Sequence, residues 1–185
     1  MAKKNQLSVN QILMLSYYRS SEIAGALFFG RLCRQVKDPE LIYFLTEQFM
    51  EESNHALMWT KLLFKYNAVP VQMHSTYQSN YAKYITVPST MTEILLITKV
   101  FEARVAERFQ FHLQQADTPQ PIKTTIKLML DEEESHINWL NKRIKQQAEA
   151  DNQSIDKLEA QYLDADLKAY NEIIANENNL VGFFQ

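Results

Sequence analysis

A chain of 185 residues, 46% of them hydrophobic, suits a single domain with enough length to bury a sizeable core. The formal net charge of −3, with both signs interspersed, leaves no polybasic footprint, so neither nucleic acid nor an anionic membrane surface is expected as a partner. One cysteine, Cys33, excludes an internal disulfide and any multi-thiolate metal module; it reads as a small apolar packing residue.

The segment from Met1 to Val9 has two lysines but no apolar core of a signal sequence, and no apolar run reaches membrane-spanning length, so a soluble cytoplasmic protein is expected. Only three glycines occur, and the five prolines, Pro39, Pro70, Pro88, Pro119 and Pro121, all fall between strongly periodic stretches. Proline stops and starts helices, so these positions divide an all-α chain into rods.

The first rod runs from about Ser8 to Val36 with Leu15, Tyr18, Glu22, Gly25, Ala26, Phe29 and Cys33 on one stripe. Asp38 is placed to cap a second rod that starts with Pro39 and ends near Tyr66, its stripe being Leu45, Gln48, Phe49, Glu52, His55, Ala56, Trp59 and Leu63. So short a turn makes the two rods antiparallel. Asn67 to Thr90 has a weaker pattern, two prolines and a short helix near Thr76 to Tyr84; its length fits a crossover running along a bundle.

A third rod from about Ser89, read as its cap, to Gln115 carries Leu95, Thr98, Glu102, Val105, Ala106 and Phe109. After a tight turn at Asp117 to Pro121, a fourth runs to about Ala148 with Ile126, Met129, Glu133, His136 and Leu140 inward. A further helix, about residues 152–177, has Leu158, Tyr162, Leu163, Ala165, Leu167, Tyr170 and Ile174 at helical spacing, and the apolar run Leu180 to Phe184 is expected to dock on the bundle or on a partner chain. The expected fold is an all-α, antiparallel four-helix bundle over about residues 8–148 with one long crossover and an added C-terminal helix, all within one domain.

The polar residues on the four stripes form a pattern. In Glu52-Ser53-Asn54-His55 and Glu133-Glu134-Ser135-His136 a glutamate precedes a histidine by three positions, which puts both on one helical face about one turn apart. Each pair follows a lone glutamate at nearly the same distance, 30 positions from Glu22 to Glu52 and 31 from Glu102 to Glu133. Four carboxylates in a bundle core repel one another and cost several kcal/mol each unless cations or protons neutralise them. Two divalent metals supply that compensation, and four carboxylates with two imidazoles suit iron or manganese better than zinc, copper or calcium. Glu52 and Glu133 are the expected bridges, with Glu22 and His55 at one end, Glu102 and His136 at the other, and open positions for O₂ or water.

A single Glu-x-x-His on an acidic helix is weak evidence, and the conjunction of all six residues carries the reading. Glu51, Glu132 and Glu134 read as solvated neighbours. His112 and His74 match no ligand spacing and read as ordinary polar residues; Glu107 should face elsewhere and pair with an arginine.

Over about Ser8 to Ala148 the chain resembles the ferritin-like di-iron carboxylate superfamily, which includes rubrerythrins, bacterioferritins, ribonucleotide reductase small subunits, aldehyde-deformylating oxygenases and tRNA-modifying hydroxylases. The resemblance is carried by Glu22, Glu52, His55, Glu102, Glu133 and His136 and does not separate the branches. It implies two iron ions, with manganese or mixed occupancy as the alternative, and reductive activation of O₂ or handling of peroxide or Fe(II). Nonhaem storage ferritins fit poorly because of the second Glu-x-x-His, rubrerythrin is disfavoured by the missing cysteines, and a radical-generating reductase subunit is disfavoured by length and by Glu22. Tyr18, one turn before Glu22, reads as a core tyrosine more readily than as a redox group.

Gly25, Ala26 and Ala106 beside the carboxylates, with Tyr18, Phe49, Trp59, Phe109 and Met129 as walls, sketch an apolar substrate pocket, although small residues equally serve close helix packing. The expected function is an O₂-activating oxidase or oxygenase. Its expected partners are O₂ or peroxide, a small apolar or amphipathic organic substrate and an external electron donor, since the chain has no flavin or nicotinamide motif. A homo-oligomer is compatible with this reading. The alternative is a ferroxidase or peroxide scavenger without an organic substrate; a third reading, an interaction module with a merely stabilising metal site, is disfavoured by six intact ligands.

Overall fold

In a computed structural model, which describes residues 6–176, the chain is helical throughout its regular structure: α1 (Val9–Cys33), α2 (Pro39–Lys65), α3 (Tyr77–Tyr81), α4 (Met91–Gln114), α5 (Gln120–Asp151) and α6 (Ile155–Asn176). The apolar run Leu180 to Phe184 lies outside the described residues.

Local chemistry accounts for the helix ends. Ser8 and Gln11 form a capping box, the Ser8 hydroxyl accepting the Gln11 backbone N–H and the Gln11 side chain accepting that of Ser8. Asp38 accepts the Leu41 N–H at 3.0 Å with Pro39 in the first turn, as the sequence indicates. At α4 the cap is Thr90, one residue beyond the expected Ser89. Glu93 selects it by returning a bond to the Thr90 N–H at 2.9 Å, while Ser89 gives both its N–H and its hydroxyl to the same carboxylate. Burial opposes ionisation of Glu93, but these bonds from Ser89 and Thr90 outweigh it and hold its pKa below the ordinary value. α5 runs past Ala148 to Asp151 and stops where Asn152 turns left-handed at φ 51°.

The described chain groups into two compact units that meet in sequence between Gln78 and Ser79, within α3. The first is built on α1 and α2. Successive pairs, Arg19 with Thr60, Glu22 with Trp59 and Cys33 with Thr46, pair rising numbers on α1 with falling ones on α2, which makes an antiparallel hairpin. Leu15, Leu45, Trp59 and Leu63 are completely buried, each such side chain being worth about 1.5–3 kcal/mol. The connection after α2 runs along α1, with Val71 N–H donating to the Ser16 hydroxyl and Gln78 to the Ser21 carbonyl.

The second unit is built on α4, α5 and α6. Thr92 binds Asp151, and Ala106 shares a cleft with Leu130 and Asp131, so α4 and α5 are antiparallel. α6 runs parallel to α4: Lys99 pairs with Glu159, and Arg104 with Asp166. Arg104 also pairs with Glu107, the arginine partner expected for that glutamate, and stacks over the Tyr170 ring at 4.3 Å. Tyr162 and Ala165 of α6 are buried, whereas Leu163 and Leu167 of the expected stripe point to solvent, about 100° per residue around the helix from the packed face. No helix among the described residues is long and apolar enough to cross a membrane.

Candidate metal centre

The α4–α5 pair brings three donors together. Glu102, Glu133 and His136 each offer one ligand atom, and these atoms lie within 4.8 Å of one another. Glu102 and Glu133 are buried and His136 is half-buried. The Glu133–His136 half of the set is a purely local consequence of helix geometry: three residues of rise leave Oε2 of the glutamate 3.8 Å from Nδ1 of the histidine. Glu102 joins them because α4 and α5 are antiparallel with residue 102 level with residues 133–136. Two buried carboxylates this close oppose each other's ionisation unless a cation or a proton lies between them. Two carboxylate oxygens and an imidazole nitrogen form a donor set that could hold a metal ion.

On the α1–α2 hairpin the remaining three sequence-predicted ligands occupy adjoining levels. Glu22 is buried on α1 and accepts a hydrogen bond from the Trp59 indole N–H at 3.2 Å. His55 is buried on α2 and Glu52, one turn earlier, is half-buried. A Cβ added to Gly25 would lie 2.6 Å from Oε2 and 2.9 Å from Cδ of Glu52, so the missing side chain at position 25 is the space that the Glu52 carboxylate fills. Glu22, Glu52 and His55 do not reach the close mutual spacing seen on α4 and α5. Each half nevertheless presents two carboxylates and one imidazole from two antiparallel helices.

The residues expected to form a substrate pocket take different places. Trp59, Phe109 and Met129 are fully buried, and Tyr18 is packed with its ring 5.3 Å from that of Trp59, as a core tyrosine. Ala26 and Phe49 line an open cleft of about 460 Å³ on the α1–α2 hairpin, with Phe49 42% exposed where it lies over Gly30. Ala106 lines a smaller cleft of about 260 Å³ between α4 and α5.

Three features are not evident from residue spacing alone. Trp59 was expected only as an apolar wall, yet its N–H orients Glu22; an indole on a ligand stripe is the signal that could have suggested this. Arg104 clamps α6 through Asp166. His112, expected to be an ordinary polar residue, is 2% exposed, and burial pushes its pKa down to about 4, against an opposing pull from Asp117. Comparisons with protein-family models, with curated proteins and with solved structures find no match to the chain.

Proposed function

We propose that the chain is a di-iron oxidoreductase of the ferritin-like carboxylate kind, which uses O₂ to oxidise a small apolar or amphipathic organic molecule with electrons from an external donor. The observation that carries this reading is the buried Glu102, Glu133 and His136 set, whose ligand atoms lie within 4.8 Å of one another. Glu22, Glu52 and His55 offer the same donor types on α1 and α2, so the six side chains would hold two ions, and all-helical architecture with antiparallel pairs is the setting in which such ligands occur. Bound iron would supply reversible one-electron chemistry and a coordination position for O₂.

The chain's own groups have separable tasks. Trp59 fixes one oxygen of Glu22 and leaves the other carboxylate oxygen to turn towards a cation. Gly25 leaves the Glu52 carboxylate unobstructed. Burial of Glu102 and Glu133 strengthens their attraction for a divalent ion and limits access of bulk water.

The discriminating experiment supplies iron-loaded protein with O₂ and a chemical reductant, then assays a panel of alkyl and aryl substrates, and in parallel with Fe(II) and peroxide alone. Substrate-dependent O₂ consumption with an oxidised organic product supports the reading. Rapid turnover of Fe(II) and peroxide with no organic product replaces it with the ferroxidase or scavenging alternative.

A further inference from the structure

The open cleft on the α1–α2 hairpin is lined by apolar side chains, two hydroxyls and one cation, Arg19. Its floor is Ala26 and Ala56, both buried, and its walls are Ile23, Leu27, Phe49 and Leu57, which are 37%, 57%, 42% and 47% exposed. These residues lie one step around each helix from the proposed ligands: Ile23 follows Glu22, and Ala56 follows His55. The cleft adjoins the proposed ligand face, but none of Glu22, Glu52 and His55 is among its lining residues.

At one end sits Arg19. Its Nε donates to the Thr60 hydroxyl at 2.8 Å, a neutral partner, and among the described residues it has no ion pair. That bond fixes the guanidinium plane at the cleft's rim and leaves its terminal nitrogens to form a bidentate pair with a carboxylate. The apolar walls extend from there along α1 to Leu27, eight residues or about 12 Å of helix. A volume of about 460 Å³ is in the range of small-molecule sites.

We propose that this cleft binds an amphipathic monocarboxylate with a single medium-length alkyl chain, its carboxylate on Arg19 and its chain along Ile23, Leu27, Phe49 and Leu57. Charge complementarity favours this occupant over a second copy of the chain, because no acidic residue lines the cleft and a copy's equivalent face would bring another arginine. A hydrocarbon tail buries the exposed apolar walls, and the fixed guanidinium selects the head group.

The test is calorimetric titration of the metal-free, full-length protein with decanoate below its micelle concentration. Saturable binding of one decanoate per chain is expected, weakened at least tenfold in Arg19→Gln, largely restored in Arg19→Lys and abolished in Leu27→Asp, with each variant's helicity checked by circular dichroism. Acetate should not bind, and decyltrimethylammonium should not compete. Three outcomes would overturn the proposal: no saturable binding, equal affinity in the wild type and Arg19→Gln, or a concentration-dependent dimer that Leu27→Asp dissociates and decanoate leaves intact. Because no iron is present, failure here says nothing against the di-iron reading, and success does not support it.

Discussion

Gly25 and Glu52 share one space: the carboxylate oxygen of Glu52 occupies the position, 2.6 Å away, that a side chain at residue 25 would contest. The atoms in conflict belong to the far end of a flexible side chain, so Gly25→Ala should move Glu52 without unfolding the hairpin. Alanine gains about 0.5–1 kcal/mol over glycine inside a helix. The expected outcome is a melting temperature at or above that of the wild type together with iron binding at least tenfold weaker, read by competition with a chelator. Gly30→Ala, where the neighbour is the half-exposed Phe49 ring at 3.2 Å, serves as the control and should leave iron binding unchanged.

Trp59 and Glu22 are both buried, and their hydrogen bond spans the two helices of the hairpin. Trp59→Phe keeps an aromatic ring but leaves the Glu22 oxygen without its indole donor. A loss of about 1–3 kcal/mol in the metal-free protein is expected from urea denaturation. Added Fe(II) should recover part of this loss, since a cation can replace the missing donor.

Arg104 links α4 to α6, with its Nε 2.9 Å from Asp166 Oδ1 and both groups largely buried. Arg104→Met should cost about 3–5 kcal/mol because it removes the guanidinium that holds both oxygens of the largely buried Asp166 carboxylate. Arg104→Met combined with Asp166→Leu should recover most of it, a non-additivity that a double-mutant cycle measures. Lys99→Met, which breaks the more exposed pair with Glu159, should cost less than about 1 kcal/mol.

His112 sets a pH dependence. Its folded pKa, about 4, lies below its ordinary value of 6.5, so between these values the unfolded chain binds the extra proton. Stability contributed by the neutral imidazole is complete above pH 6.5 and is lost as pH falls towards 4, amounting to about 3 kcal/mol at most. Glu93 and Asp151, whose folded pKa values are lowered, lose their contributions on the acid side as well. Denaturation of metal-free protein at pH 7 and pH 4.5 should show the loss, and His112→Phe should reduce the difference.

Features that depend on a few consecutive residues were legible in the sequence. Pro39 and Asp38 mark the start of α2, and the i to i+3 spacing of Glu133 and His136 is reproduced because a helix fixes it without help from the rest of the chain. The α4 cap fell one residue away from Ser89 because two adjacent hydroxyl residues compete and the reach of Glu93 decides between them. The outward positions of Phe49, Leu163 and Leu167 follow from which side of a helix a neighbour covers, and apolar spacing alone does not record that. The pairings of Gly25 with Glu52 and of Trp59 with Glu22 require the register between α1 and α2, which is set by the packing of the whole hairpin. The burial of His112 involves the turn and the start of α5 that follow it, where Asp117, Thr118 and Lys123 interact with it, and helical spacing on α4 alone does not record that.

In the proposed function these carboxylates and histidines bind iron. The most direct measurement is an anaerobic Fe(II) titration of the metal-free protein, counting bound iron per chain, with Glu133→Ala and His136→Ala beside the wild type. Saturation near two irons per chain, reduced in both variants, is the predicted result, and O₂ added afterwards should give a visible absorbance change that the variants lack. Absence of stoichiometric uptake, or uptake equal in Glu133→Ala and the wild type, would contradict it.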